Sequence, residues 1–195
     1  MTGSERLMIW TVCLVTPLLW AGPKANSQLA REGWLRADDA IVRLNPSVFP
    51  NLPTKVRIAL EQRGCTIPQP YDTEDHLNVV SGTFVSPGRI SWAVLCSRER
   101  QSTILVFYGN GFGRVDAIAQ EADIQYLQTV SGNGNIGYSR RLGVATPKEI
   151  RRYFERDAQN QQRVDHDGLD DAFIGKSSVV WYRSSNQWIR LSATD

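Results

Sequence analysis

Residues 90–108, ISWAVLCSRERQSTILVFY, decide the fold class of this chain. Two segments within them, 90–97 and 102–108, are dominated by β-branched and aromatic residues, a composition that is typical of strands. The polar residues Arg98–Gln101 between these segments form a connection short enough for a hairpin turn. Because both segments are apolar at consecutive positions, we expect the hairpin to be buried on both faces of its sheet.

Further strands are predicted on either side of this hairpin. Residues 76–84 (HLNVVSGTF) precede the hairpin and are joined to it by the turn Ser86–Arg89. The three segments are therefore predicted to form an antiparallel meander. Near the C-terminus, residues 172–183 and 187–192 are predicted to pair as a second hairpin. The segment 114–130 is ambiguous between strands and a helix.

Three helices are predicted around these strands. Residues 29–44 carry an apolar stripe with a period of 3.6 residues, formed by Trp34, Ala37, Ile41 and Leu44. The second helix covers residues 53–64, and the third covers 147–157, where Thr146 and Glu149 form a capping box around Pro147. We therefore predict an α+β fold: an antiparallel sheet of five or more strands with two to three packed helices, in a single domain.

Composition and charge narrow the class of function. Hydrophobic residues make up 42% of the 195 positions and charged residues 22%, which is ordinary for a globular protein and unlike a disordered one. The formal net charge is +2 for the whole chain. This bias is too small to indicate nucleic acid or an anionic membrane as the main partner.

The N-terminus has the layout of a secretory signal peptide over residues 1–27, followed by a domain over 28–195. Arg6 precedes the apolar residues 7–20, and small residues stand at Ala25 and Ser27 before the predicted cleavage site. The alternative is an uncleaved membrane anchor. A helix that spans a membrane needs roughly 20 apolar residues, and the apolar segment 7–20 is shorter than that. We expect a periplasmic or secreted protein with no stable membrane span after cleavage.

Two cysteines remain after the predicted cleavage, Cys65 and Cys96. An even number of cysteines in an exported chain indicates a disulfide. The alternative is a pair of buried free thiols. A metal site is disfavoured because neither a Cys-x-x-Cys spacing nor a histidine pair accompanies them.

An acidic segment at residues 165–171 (DHDGLDD) is a candidate calcium site. Asp165, Asp167 and Asp171 are grouped around Gly168, and calcium binds six to eight oxygen ligands. An EF-hand is excluded, because aligning its required glycine with Gly168 leaves non-acidic residues at the first and last ligand positions. The alternative is a turn whose aspartates accept hydrogen bonds from their own backbone amides.

The acidic segment resembles the FG-GAP type of motif, in which Asn/Asp-x-Asp-Gly-x-x-Asp precedes a strand, here Ala172–Ile174. Residues 82–95 look like a second, degenerate copy that has lost its metal ligands. The resemblance implies hairpin geometry, while the chain is too short for a propeller. More broadly, the Cys65–Pro68, Trp92–Ser97 and Lys176–Tyr182 stretches resemble small exported bacterial proteins without an assigned activity. That similarity implies export and the framework of two cysteines.

No catalytic or cofactor-binding residues are assigned, because the chain contains neither a Gly-x-Ser-x-Gly nor a His-Glu-x-x-His motif. We predict a non-catalytic module that binds a protein or a component of the cell envelope. The alternative is a small hydrolase whose active site uses His76 or His166. His76 is expected to begin a strand, and His166 is expected to be exposed. A solvated basic face is predicted from Arg140, Arg141, Lys148, Arg151, Arg152 and Arg156.

Overall fold

A computed structural model describes residues 23–71, 73–109, 113–130, 132, 134–155 and 163–192. The helices in these ranges are α1 Pro23–Asp39, α2 Thr54–Gln62 and α3 Pro147–Glu155, with short 3-10 helices at Pro46–Val48 and Asp123–Tyr126. The strands are, in chain order, β1 Arg43–Leu44, β2 Ile67–Pro68, β3 Val79–Gly82, β4 Ser91–Arg98, β5 Gln101–Tyr108, β6 Val115–Ala122, β7 Leu127–Thr129, β8 Ile136–Tyr138, β9 Arg140–Ala145, β10 Gly168–Phe173, β11 Ser177–Ser184 and β12 Gln187–Ser192.

The predicted meander forms the first of two larger antiparallel sheets. Sheet 1 has the order β3-β4-β5-β6, and Arg98 pairs with Gln101 to close the central hairpin. The two turn residues, Glu99 and Arg100, both have positive φ, as the tight turn between twisted strands requires. Strands β4 and β5 are buried on both faces, as their continuous apolar sequence predicted.

Sheet 2 contains the C-terminal hairpin in the order β12-β11-β10-β9. Two further strand pairs, β1-β2 and β7-β8, complete the antiparallel structure. The predicted α+β class is confirmed, with the strands of the described residues divided among sheets of four, four, two and two. The segment 114–130 consists of β6 and β7 joined by a 3-10 helix, so the strand interpretation is the correct one.

The packing produces four layers: α2, sheet 1, sheet 2 and α3. Between the sheets, Leu95 and Ile104 of sheet 1 pack in one apolar cluster with Leu142 and Leu169 of sheet 2. The opposite face of sheet 1 packs against α2 through Val94, Phe107, Val56 and Leu60. The outer face of sheet 2 packs against α3 through Val180, Tyr182, Ile150 and Phe154.

Asn78 connects the two sheets. Its backbone has a φ of 69°, and its side chain is buried. The Asn78 amide nitrogen donates to the carbonyl of Pro68 at 2.6 Å and to that of Arg140 at 3.2 Å. Its amide oxygen accepts from the backbone nitrogen of Leu142 at 2.7 Å. One side chain thus bonds to three backbone groups from two different segments of the chain.

The predicted disulfide between Cys65 and Cys96 is present, with 5.1 Å between the Cα atoms. It ties the end of α2 to strand β4. A bridge that closes a loop of this length stabilises the fold by about 3–4 kcal/mol, chiefly by restricting the unfolded chain.

The predicted first helix is wrong at its C-terminal end, because α1 ends at Asp39 rather than at residue 44. Residues 43 and 44 instead pair with Pro68 and Ile67. The Arg43 guanidinium is held by the Asp123 carboxylate at 2.8 Å, a partner 80 residues further along the chain. The remaining helices agree with the prediction within about two residues at each described end, which is the usual uncertainty of helix boundaries.

The predicted signal peptide lies mostly outside the described residues, which begin at Pro23. Its predicted cleavage site, between Ser27 and Gln28, falls within α1. Across the part of the chain that the structure describes, no helix combines the length and the apolar character that crossing a membrane requires.

Candidate functional site

Asp171, a predicted calcium ligand, lies in strand β10 and pairs with Arg140. The Arg140 Nε and Nη2 atoms donate to the two Asp171 carboxylate oxygens at 2.8 Å each. Arg140 also donates to Ser102 and to the Ala119 carbonyl, and its guanidinium lies 4.5 Å from the centre of the Tyr126 ring. Burial disfavours the charged form of Arg140, but Asp171 outweighs it and raises the pKa of the guanidinium. Since Arg140 is 0% exposed, its predicted place in a solvated basic face is wrong.

The other two predicted ligands have different partners. Asp167 accepts from the Thr83 backbone nitrogen at 2.8 Å and from its hydroxyl at 2.7 Å. Asp165 lies 2.9 Å from His166 Nδ1 through one oxygen and 3.3 Å from Arg163 Nε through the other. The hydrogen bond with His166 is the main reason that the pKa of Asp165 is lowered.

The three aspartates are therefore not brought together around one point. Among the described residues, no group of three or more His, Cys, Asp or Glu side chains is arranged to hold a metal ion. Strand β10 begins at Gly168, so the predicted loop is shorter than expected. The geometry gives no support to a calcium site, and the function proposed below does not depend on one.

His166 is buried rather than exposed, so that prediction is wrong. The residue is 6% exposed, and its Nδ1 atom lies between the Asp165 carboxylate and the Tyr182 hydroxyl, which is 3.1 Å away. Its Nε2 atom has no hydrogen-bond partner among the described residues and no contact with solvent. A histidine acts as a general base only when a nitrogen is within hydrogen-bond reach of the substrate. In this arrangement His166 Nε2 is sealed off.

His76 is exposed and lies in a loop, since strand β3 begins only at Val79. The prediction that His76 begins a strand is therefore wrong. Its ring packs against Phe49 with 5.5 Å between the ring centres. His76 borders an open groove and His166 borders a different cleft.

The groove beside His76 is the strongest candidate for a functional site. It lies between the C-terminal end of α1 and the loop 69–76, has a volume of about 410 Å³, and is called the α1 groove below. Its charged lining consists of Glu74 and Asp75, and no lysine or arginine lines it among the described residues. Its apolar floor is formed by Ile41, Val42, Leu44, Ile136 and Tyr138.

The loop that forms the rim is held in place by Gln69. The buried amide of Gln69 accepts from the Leu77 nitrogen at 2.8 Å and donates to the Leu77 carbonyl at 3.1 Å, so it closes the loop. The Gln69 backbone nitrogen donates to the Val42 carbonyl at 2.8 Å, and the Tyr71 nitrogen donates to the Tyr138 carbonyl at 2.7 Å. These contacts tie the rim to the floor, so the groove exists before any ligand arrives.

Gly137 permits the close packing at one wall of the groove. A Cβ atom at this position would lie 2.7 Å from the Tyr71 Cβ, a distance that real side chains do not reach. At the rim, the Asp75 nitrogen donates to the Thr73 hydroxyl at 3.2 Å and shapes the loop as a tight turn.

A second cleft, of about 290 Å³, lies between α3 and sheet 2. It contains two carboxylates, and both have protein partners. Glu149 accepts from the Thr146 nitrogen and hydroxyl in the predicted capping box, while Asp170 accepts from the Ser178 hydroxyl. The carboxylates of this cleft are therefore less available to a ligand than those of Glu74 and Asp75 in the α1 groove.

The sequence analysis did not predict this groove. It assigned Ile41 and Leu44 to a helix and expected His76 to begin a strand. The fold and the groove together define an α+β domain of four layers, linked by one disulfide and carrying an open acidic and apolar groove. Comparisons with protein-family models, with curated proteins and with solved structures gave no match.

Proposed function

We propose that the protein is a periplasmic or secreted, non-catalytic binding module whose α1 groove takes a basic and partly aliphatic segment of a partner polypeptide. The observation that carries the proposal is the composition of the groove, which combines an aliphatic floor with charged groups of one sign at the rim. Concave surfaces with apolar walls and a few convergent polar groups are the usual form of binding sites.

The floor supplies the apolar part of the interaction. Val42 is 59% exposed although it lies in a concave surface, and Leu44 and Ile136 are half-buried. Covering such side chains contributes roughly 25 cal/mol for each Å² of apolar area removed from water. An aliphatic side chain of the partner that covers Val42 would therefore contribute most to the binding free energy.

The rim supplies the electrostatic part. Glu74 and Asp75 are exposed, and neither forms an ion pair with another described residue, so the rim carries negative charge. Lysine and arginine carry long apolar stems below their charged heads, so they can lie along an apolar floor and reach a carboxylate at its edge. Complementary charge of this kind sets orientation and the rate of association more than affinity.

The contacts of the two histidines favour binding over catalysis. Asp165 and His166 form a pair of the kind that orients a general base, which keeps a hydrolase as the second candidate. The nitrogen that would act on a substrate, His166 Nε2, is sealed from solvent. His76 is open, but the Thr73 hydroxyl beside it in the groove is engaged with Asp75.

Export is supported by the disulfide, because such bonds persist in oxidising compartments and are rare in reducing ones. The N-terminal sequence points the same way. Recovery of the oxidised protein from the periplasm or medium of the native cell tests this part of the proposal.

Binding is tested by fluorescence anisotropy with labelled peptides on the oxidised protein. The probes are a peptide of alternating lysine and leucine, one in which glutamate replaces lysine, and one in which serine replaces leucine. We expect the lysine–leucine peptide to bind, and each replacement to weaken binding.

Two variants assign this binding to the groove. The double variant Glu74→Gln with Asp75→Asn should weaken binding about fivefold or more, since exposed charge pairs each contribute up to about 1 kcal/mol. Val42→Ser should weaken it without affecting the fold. Glu61→Gln and Ile58→Ser, which change exposed residues of α2, are matched controls. Equal binding of all three peptides, or equal loss in the controls, contradicts the proposal.

A further inference from the structure

A second cleft lies at the far side of His166 and has a volume of about 280 Å³. It is bounded by the turn between β11 and β12, by the segment 163–166 and by the residues that follow β3, and it is called the hairpin cleft below. Three of its lining residues carry nitrogen-rich side chains: Arg163, His166 and Arg183.

Arg183 is a buried guanidinium whose hydrogen bonds are incomplete. Its side chain is 7% exposed, its Nη2 atom donates to the Asn186 amide oxygen at 3.2 Å, and its Nε atom has no hydrogen-bond partner among the described residues. Arg140, the other buried arginine discussed above, differs in that its donors bond to both oxygens of a carboxylate and to further oxygen acceptors. A buried guanidinium is costly unless its donors are satisfied, and the Arg183 Nε donor is not, so the side chain has the capacity to bind a further oxygen acceptor.

The nearest carboxylate, Asp116, is already engaged by other donors. Its Oδ2 atom accepts from the Tyr108 hydroxyl at 2.5 Å and from Trp188 Nε1 at 3.0 Å, and its Oδ1 atom accepts from Arg114 Nε at 3.0 Å. Arg183 Nε is 3.7 Å from Oδ2, which is beyond hydrogen-bond distance. Asp116 therefore offsets part of the positive charge of Arg183 but accepts no hydrogen bond from its Nε atom.

His166 also borders the cleft, but its Nε2 atom has no contact with solvent, so the ring forms part of the wall and does not bind the ligand. Asp165 engages its Nδ1 atom and leaves Nε2 without a partner among the described residues. Arg163 has a side chain that is 89% exposed and shares Asp165 at 3.3 Å, so it can turn towards a ligand at little cost. Ser86 and Ser185 line the same space.

We propose that the hairpin cleft binds an oxyanion group, a carboxylate or a phosphate, which takes the place of the Asn186 amide oxygen on Arg183 and is closed over by Arg163. Charge-assisted hydrogen bonds are roughly twice as strong as neutral ones, so the exchange is favourable. The site is separate from the α1 groove, and the proposal does not depend on peptide binding there.

The test is calorimetric titration of the oxidised protein with phosphate, sulfate and succinate, against chloride at equal ionic strength. We expect at least one oxyanion to bind, and chloride not to compete. Tighter binding of phosphate and sulfate identifies a phosphate-type group, and tighter binding of succinate identifies a carboxylate.

Variants locate the site. Arg163→Gln, at an exposed position, should weaken binding about tenfold or more, the effect of losing a hydrogen bond between charged groups. Arg183→Lys keeps the buried charge but removes the fork and should also weaken binding. Asn186→Gly, which suits the positive φ of 69° at this position, should leave binding intact or tighter.

Arg190→Gln is the matched control, because Arg190 is exposed on β12 and does not line the cleft. Two results overturn the proposal: no binding of any oxyanion at millimolar concentration, or binding that neither Arg163→Gln nor Arg183→Lys weakens. Because the lysine–leucine peptide is tested separately on Glu74 and Asp75, failure here leaves the α1 groove unaffected.

Discussion

Arg140 of β9 and Asp171 of β10 form a bidentate ion pair within sheet 2, with both nitrogen–oxygen distances at 2.8 Å. The same guanidinium donates to Ser102 and to the Ala119 carbonyl, so strands β9 and β10 of sheet 2 are joined to β5 and β6 of sheet 1. This pair explains why an aspartate that sequence spacing assigned to calcium is unavailable to a metal.

Breaking this pair should be strongly destabilising. Asp171→Asn leaves the buried Arg140 without its counter-charge, a change that costs about 3–5 kcal/mol in comparable sites. Urea unfolding of the oxidised protein measures the difference. Glu61→Gln, at an exposed position, is the control and should stay within about 0.5 kcal/mol of wild type. A loss as small as that of the control would mean that Arg140 finds another partner.

The side-chain hydrogen bonds of Asn78 should contribute more to the free energy of unfolding than its backbone conformation does. Asn78→Ala leaves the Leu142 nitrogen and the Arg140 carbonyl without the bonds from this side chain, at about 1–3 kcal/mol each, and adds strain at a φ of 69°. Asn78→Gly relieves the strain but loses the same hydrogen bonds. We expect both variants to be destabilised by more than about 2 kcal/mol in urea unfolding. Wild-type stability in Asn78→Gly would show that the hydrogen bonds contribute little.

The capping box of α3 gives a prediction about pH. Hydrogen bonds from the Thr146 backbone and hydroxyl lower the pKa of Glu149 from its ordinary 4.5. A carboxylate with a lowered folded-state pKa stabilises the protein above its unfolded pKa, and this stability is lost as the pH falls through the folded value. Glu149→Gln should therefore be less stable than wild type at neutral pH, and the difference should shrink as the pH falls below 4.5 and vanish once the pH is below the lowered folded-state pKa.

Thr146→Ala provides the companion measurement and should cost about 1 kcal/mol at neutral pH. The stability of both variants relative to wild type is measured by thermal unfolding across the pH range. A difference between wild type and Glu149→Gln that persists in acid would assign the effect to packing rather than to charge.

Calcium should not stabilise the protein. Any ion that binds the native state alone raises the unfolding midpoint, by the equivalent of about 2.7 kcal/mol at a hundredfold excess over its dissociation constant. Because Asp171 is held by Arg140, we expect equal midpoints with millimolar calcium and with a chelator. A rise that Asp167→Ala abolishes would restore residues 165–171 as a metal site.

The elements that sequence predicted well are those set by local chemistry. The continuous apolar residues of β4 and β5 determine burial on both faces, and Thr146 with Glu149 determines the start of α3. The cysteine count indicated the disulfide. Each of these features depends on residues close in sequence or on the number of cysteines.

The features that sequence missed depend on distant partners. Arg43 leaves the predicted helix because Asp123 holds it, and Arg140 is buried because Asp171 is its neighbour in the sheet. A charged residue is assigned to the surface until its buried partner is known. The α1 groove was not predicted for the same reason, since its lining comes from segments that are far apart in the sequence.

The most direct test of the central claim is to map the lysine–leucine peptide onto the isotope-labelled, oxidised protein by NMR titration. The account predicts that backbone amide signals of Val42, Glu74, Asp75 and Ile136 shift together and saturate, while signals of exposed α2 residues such as Ile58 stay in place. Shifts that cluster away from the α1 groove, or no saturable shift at all, would contradict the proposed function.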